Sequence, residues 1–240
     1  TINNDMETTQ GRISSGMRVG AASDNAAYWS IATTMRSDNA AMSAVEDALG
    51  LGAAKIDVAY AGVEASIDVI KEIKKKLVTA TEQGVDRAKV GEEISQLQDQ
   101  LRSIGAGAAF NGENWLAGGS AESTVVTGFT RGADGTVKVT TADYDAAANS
   151  LFGAYDPGTG TVADGGLLTE ILAIDLDGTT DDAAVQGFLD NVEDNLSKAQ
   201  AVGSTLGSLS MRVGLQEDFA SKLSDALDKG IGRLVDADMN

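Results

Sequence analysis

An apolar residue recurs at every seventh position between residues 28 and 77, and this repeat constrains the fold more than any other feature of the sequence. Apolar side chains spaced in this way lie on one side of an α-helix and form a seam against partner helices. A helix from Ser23 to about Thr79 would be on the order of 85 Å long at 1.5 Å per residue. The first seam consists of Tyr28, Met35, Met42, Leu49, Ile56, Val63, Ile70 and Leu77.

A second seven-residue repeat follows near the other end of the chain, after a predicted helix cap at residues 180–182. A shorter helix between the two repeats is predicted from the four-and-three spacing of apolar residues over 90–104. The turn at Gly84 would let this helix fold back on the first one. We therefore expect an antiparallel bundle. The second seam consists of Val192, Ala199, Leu206, Val213, Ala220, Leu227 and Leu234.

The ends of the first long helix carry capping signals. Ser23 or Asp24 is predicted to cap its first turn. Lys74, Lys75 and Lys76 lie near its end, where cations complement the helix dipole or form a solvated face.

The segment 110–178 is rich in Gly, Thr, Val and Asp and lacks a helical period. Alternating residues on both sides of Asp134-Gly135 predict a hairpin over 123–144, and the apolar run 167–176 is interpreted as a strand. The predicted fold is mainly α with a small β-rich insertion: an elongated antiparallel bundle of long heptad helices plus an outer β domain. The predicted parts are 1–116 with two rod helices, 117–179 as a variable outer insert, and 180–240 with the long C-terminal helix.

Composition argues against several classes of function. The chain has no Cys and no His, which removes the residues most used as nucleophiles, neutral-pH bases and transition-metal ligands. A formal net charge of -18 argues against binding to nucleic acid or to an anionic membrane. We expect no enzyme activity, no cofactor, no membrane insertion and no metal site. The carboxylates at 175–181 miss the glycine spacing of a calcium loop, and a turn with a helix cap explains them.

Four aromatic residues stand close to predicted helix ends or to the hairpin exit. Tyr28 and Trp29 open the first long helix, and Phe110 and Trp115 follow the second helix. Core packing is the interpretation we favour for all four over an aromatic binding platform.

Three segments resemble the bacterial flagellin family, in order and at family spacing. Residues 12–19 (RISSGMRV) with 23–27 (SDNAA) resemble its N-terminal signature. Residues 92–104 (EEISQLQDQLRSI) with 110–112 resemble its next helix and the exit into a hairpin, and 206–238 resemble its C-terminal helix. Residues 28–36 are most similar to flagellins of alphaproteobacteria.

The resemblance implies a structural subunit of the flagellar filament that, when full length, associates with copies of itself into a helical homopolymer. It implies an extracellular location, export by the flagellar type III route, and contacts with the cap, the hook-junction proteins and an export chaperone. It also implies terminal helices beyond this sequence, so the chain is interpreted as truncated at both termini. The seam residues would serve rod packing and self-association, and Leu77 and Glu93 match positions that face an animal innate immune receptor.

An alternative interpretation is a flagellin-like binding module on the cell surface. In this alternative the insert 117–179 would recognise a polysaccharide or a host surface. Adhesion would then map to the insert and would not require polymerisation.

Overall fold

A computed structural model of the chain describes residues 2–118, 123–132 and 136–236. The chain divides into two compact units: unit 1 holds residues 1–50, 126–140 and 214–240, and unit 2 holds residues 51–125 and 141–213. The helices within the described residues are α1 (Ile2–Ser15), α2 (Ala26–Ala80), α3 (Arg87–Gly107), α4 (Thr169–Leu172) and α5 (Asp182–Val235). The two long helices that the heptad repeats predicted are thus confirmed, at 55 and 54 residues.

The first long helix begins slightly later than predicted. The Asn25 side chain accepts a hydrogen bond from the backbone N–H of Tyr28 at 3.0 Å, so Asn25 is the cap of α2. The predicted cap at Ser23 or Asp24 is wrong, because the Asp24 carboxylate accepts hydrogen bonds from the N–H groups of Gly20 and Ala21 instead. These two hydrogen bonds also lower the pKa of Asp24.

The ends of the other helices follow the sequence signals. Gly84 has a φ of 86°, which suits glycine and reverses the chain between α2 and α3. The Asp181 carboxylate accepts the N–H of Ala184 at 2.8 Å, which confirms the predicted cap of α5. Asp86 caps α3 in the same way through the N–H of Lys89.

In unit 1, α2 and α5 run antiparallel. Asn39 donates to the Asp228 carboxylate at 2.7 Å and accepts from the Ser224 hydroxyl at 2.8 Å. Closer to the start of α2, buried Ala32 packs with Ile231 and Val235. The N–H groups of residues 18 and 19 donate to the Val235 carbonyl, which ties the connection between α1 and α2 to the end of α5.

In unit 2, the same two helices also pair antiparallel. Ser210 of α5 donates to Asp57 of α2 at 3.4 Å, and Lys74 of α2 forms an ion pair with Glu193 at 2.7 Å. Lys76 reaches Glu93 of α3 at 2.6 Å. The lysine run therefore forms a solvated face whose ion pairs link neighbouring helices. Each exposed pair is expected to contribute only about 0–1 kcal/mol.

The segment between α3 and α5 contains three two-stranded sheets within the described residues. The strands are β1 (Ala109–Phe110) with β2 (Glu113–Asn114), β3 (Ser123–Arg131) with β4 (Val137–Tyr144), and β5 (Tyr155–Asp156) with β6 (Thr161–Val162). The predicted hairpin over 123–144 is confirmed by β3 and β4. Its predicted Asp134-Gly135 turn lies outside the described residues.

The predicted strand over 167–176 is wrong. This stretch forms a 3-10 turn at Gly166–Leu168 followed by α4. Gly165 and Gly166 have φ values of 156° and 68°, which turn the chain before it can extend. The buried Gln98 side chain of α3 then donates to the carbonyls of Ile171 and Ile174, at 2.9 and 2.8 Å.

Side chains of the strand-containing segment pack closely on α3 within unit 2. Gly105 of α3 leaves room for the Phe152 ring, which is fully buried. Arg102 of α3 holds the Asp164 carboxylate with two hydrogen bonds of 2.7 and 2.9 Å, and the guanidinium lowers the pKa of that carboxyl. Residues 141–179 are thus integrated with a helix of their own unit.

An aromatic pair lies in the interior of unit 2. The rings of Trp115 and Tyr144 are stacked with centroids 5.1 Å apart, and both residues are almost fully buried. Neither the Trp115 ring N–H nor the Tyr144 hydroxyl has a hydrogen-bond partner among the described residues. Burial raises the pKa of the Tyr144 phenol, since the charged form would lie in an apolar environment.

Substitution of Gly105 tests the packing of Phe152 on α3. A methyl group at this position would lie 2.7 Å from two carbons of the ring. We expect Gly105→Ala to lower the free energy of unfolding by about 1–3 kcal/mol because the buried ring must shift. The control is Gly187→Ala in α5, where an added methyl group would have no neighbour within 4 Å among the described residues. This substitution should raise the free energy of unfolding by up to about 1 kcal/mol. Urea unfolding followed by circular dichroism measures both, and equal effects would contradict the close packing.

Substitution of Tyr144 tests the unpaired hydroxyl. We expect Tyr144→Phe to raise the free energy of unfolding at pH 7 by about 1 kcal/mol, because a buried polar group without a partner is removed. The folded state raises the phenol pKa, so the wild-type chain loses stability as the pH rises above the ordinary tyrosine pKa, and the variant should lose less. Urea unfolding at pH 7 and pH 11 measures both effects. A variant less stable than wild type at pH 7 would show that the hydroxyl has a partner. The control is Tyr60→Phe, at a half-buried site of the same unit.

Candidate self-association surfaces

The two heptad seams are largely buried inside their own units. The central seam positions are Met42, Leu49, Ile56, Val63, Ile70 and Leu77 on α2, with Val192, Leu206 and Val213 on α5. Met42 is 3% exposed and the other eight are 0% exposed. Burial of each such side chain contributes about 1.5–3 kcal/mol to folding. These residues therefore hold the helices together within one chain.

A fully covered side chain has no surface to give to a second copy. The expectation that the seam residues themselves make contacts between copies therefore does not agree with their burial at the central positions. The seams are more open near the start of α2 and the end of α5, where Met35, Leu227 and Leu234 are half-buried.

Tyr28 differs from the rest of the first seam. It is 42% exposed, and its neighbour Trp29 is 37% exposed. The buried cluster of unit 1 at this end is centred on Ala32, one turn further along α2, so Tyr28 lies outside it. The predicted core packing of these two aromatics is therefore wrong, whereas that of Trp115 is confirmed and Phe110 is half-buried.

The two candidate receptor-facing residues differ in accessibility. Leu77 is fully buried in this structure, and its contact with a receptor stays a prediction. Glu93 is exposed and paired with Lys76. The heptad position of Leu77 explains the difference, since the seam face of α2 points to its partner helices.

Unit 1 exposes large apolar side chains outside the heptad positions. Leu215 and Phe219 are 63% and 59% exposed, and their spacing of four residues places them on one face of α5. Beside Phe219 lies a small, mostly apolar cleft of about 130 Å³ lined by Met42, Gly128, Thr140 and Ala220, among others. Sequence alone offers one signal for this patch, namely large apolar residues on a helix outside the heptad position.

Helix α1 also presents apolar side chains. Ile2, Met6 and Ile13 are 78%, 54% and 60% exposed. Apolar residues left uncovered on several helices form surfaces suited to contacts with other proteins.

The acidic stretch before α5 forms a turn. The Asp177 carboxylate accepts hydrogen bonds from the hydroxyls of Thr179 and Thr180, which lower its pKa. Among the described residues, no group of three or more His, Cys, Asp or Glu is arranged to hold a metal ion. In the same part of the chain, every helix is too short or too polar to cross a membrane.

Comparison with known proteins identifies the family. Residues 1–121 match the model of the bacterial flagellin N-terminal helical region. The chain is 46% identical to "Flagellin C" and 41% identical to "Flagellin A" of Rhizobium meliloti (strain 1021), and 37% identical to a "Flagellin" of Brucella melitensis. All of this chain is covered in each case, with 83%, 86% and 81% of the respective relative.

The chain belongs to the bacterial flagellin family. As a flagellin it is a structural protein of the extracellular flagellum, a subunit of the filament that serves motility. Its association with copies of itself builds that filament. The relatives confirm the predicted resemblance to alphaproteobacterial flagellins.

Truncation of Leu77 tests the seam of this flagellin against the adjacent surface. We expect Leu77→Ala to lower the free energy of unfolding by about 2–5 kcal/mol, because it opens a cavity in a fully buried position. The neighbouring Val78 is 51% exposed, and Val78→Ala should change the free energy of unfolding by less than about 0.5 kcal/mol. Urea unfolding of both variants measures the difference. Similar values for the two would contradict the inward orientation of Leu77.

Proposed function

We propose that copies of this flagellin associate side by side through the outer faces of α2 and α5. In this arrangement the buried seams keep each chain rigid and the exposed apolar residues make the contacts between chains. One observation supports the proposal. The central seam residues of α5 are fully buried, whereas Leu215 and Phe219 are exposed on a different face of the same helix. Those side chains gain about 25 cal/mol for each Å² that a second copy removes from water.

Filament stability in this proposal comes from repetition. Each lateral contact is weak, but every copy makes the same contacts with several neighbours, so the effects accumulate. A contact between two different faces generates an open helical assembly when rotation does not close it. Such contacts need long helices with faces left uncovered by their own chain.

The three sequence segments have separate roles in this proposal. Segments 1–116 and 180–240 supply the helices that assemble, and 117–179 is the part that varies between filaments. The aligned lengths support a variable part, because the same 240 residues align over 266 positions with one relative and over 341 with another. The packing of residues 141–179 on α3 limits this variation to regions that do not touch the helix.

We further propose the flagellar cap, the hook-junction proteins and an export chaperone as partners, and the flagellar type III apparatus as the export route. The support for these is the family membership alone. If an animal receptor binds this region, Glu93 is the residue we propose to face it, because Leu77 is covered. The polysaccharide-binding alternative is not favoured by the comparisons.

Seeded elongation tests the proposed association. The purified full-length protein, labelled with a dye, is incubated with short filament seeds, and incorporation is measured by sedimentation and electron microscopy. We expect the wild-type chain to enter the pellet, and Phe219→Asp to incorporate about tenfold less because a charge replaces apolar contact area. The control is Ser221→Asp, which adds the same charge at an exposed site on another side of α5.

Two results would contradict the proposal. The first is a wild-type chain that stays in the supernatant at every concentration. The second is equal incorporation of the Phe219 and Ser221 variants. Circular dichroism of each variant establishes that the helices are intact.

A further inference from the structure

An aromatic and an arginine share one exposed face near the start of α2. Trp29 and Arg36 are seven residues apart, so their side chains leave the helix in nearly the same direction, with exposed Thr33 between them. Arg36 is exposed and forms no ion pair or hydrogen bond within the described ranges. Trp and Arg are the residues most enriched among those that dominate protein–protein binding. We call Trp29, Thr33 and Arg36 the arginine face.

A face of opposite character lies on α5 in the same unit. Leu215, Asp218 and Phe219 are spaced by three and four residues, so they form one patch with a carboxylate beside two apolar side chains. Asp218 is exposed and likewise has no ion-pair partner in the part of the chain that the structure describes. We call these three residues the aspartate face.

The charged residues of the two faces are opposite in sign in an otherwise acidic chain. Arg36 belongs to one face and Asp218 to the other. Two copies with a net charge of -18 each repel one another, so association requires contacts between locally opposite charges. Because the chain is a filament subunit, a second copy is the partner that both faces fit.

We propose that the arginine face of one copy docks on the aspartate face of the next. This inference rests on the proposed lateral association and names its residues. Trp29 packs on Leu215 and Phe219, and Arg36 pairs with Asp218 at the edge of the contact. The two faces are different surfaces, so each copy offers both and the contact repeats without closing.

Cysteine cross-linking tests the contact directly, because the natural chain has no cysteine. Thr33→Cys is placed in one copy and Lys222→Cys in a second, tagged copy; Lys222 is exposed and lies three residues after Phe219 and four after Asp218, on the same side of α5. The full chains are mixed at high concentration with a mild oxidant. We expect at least fivefold more mixed disulfide dimer than with the control pair Thr33→Cys and Ala201→Cys, because Ala201 is exposed on α5 but lies fourteen residues before Leu215.

Charge exchange identifies the pair that orients the contact. Arg36→Asp or Asp218→Arg, each introduced into both cross-linking partners, should lower the dimer yield about threefold to tenfold, the range expected when an exposed ion pair becomes a repulsion. Both substitutions together should restore it to within about twofold. Arg36 and Asp218 form no ion pair within one chain, so such a rescue reports contact between copies.

Each outcome decides between the inferences. A 33–222 yield equal to the control yield overturns the proposed contact, as does a doubly exchanged chain that is no better than either single one. A disulfide within one monomer carrying both cysteines would mean that the faces meet inside a single chain, which also overturns it. If the chain elongates seeds but the cross-link does not form, lateral association is supported and these two faces are rejected. If both experiments fail, both proposals are rejected.

Discussion

The antiparallel packing of α2 against α5 is the interaction on which the rest of the molecule depends. Short isolated helices are only marginally stable in water, and most helical stability in proteins comes from burying an apolar face. The central heptad residues of both helices are almost completely buried, from Met42 to Leu77 on α2 and from Val192 to Val213 on α5. This burial stabilises both helices over more than fifty residues.

Small residues and polar pairs specify how the other elements pack onto these helices. Gly105 leaves space for a buried phenylalanine ring, and Gln98 supplies hydrogen bonds to the carbonyls around α4. A buried carbonyl without a donor costs about 1–3 kcal/mol, so the Gln98 contacts define the position of that turn. The strand-containing segment is thus held by specific contacts with α3 in unit 2.

The burial of the seams within one chain restricts which faces can make contacts between copies. Residues that are already buried cannot also contact a neighbour, so self-association must use faces outside the heptad positions. Unit 1 leaves Trp29, Leu215 and Phe219 partly or largely exposed, together with charged residues that have no partner within the described part of the chain. Folding and assembly therefore depend on different faces of the same helices.

The sequence by itself determined the long helices, the cap at Asp181, the glycine turn at Gly84 and the flagellin family. These features follow from local rules: a seven-residue period, a capping side chain and a backbone angle that suits glycine. Only the tertiary structure decided that Leu77 is covered, that Tyr28 and Trp29 are exposed, and that residues 166–172 form a 3-10 turn and a short helix. The physical reason is that burial and the satisfaction of backbone carbonyls depend on residues distant in the chain, such as Gln98 for Ile171, and periodicity does not encode those partners.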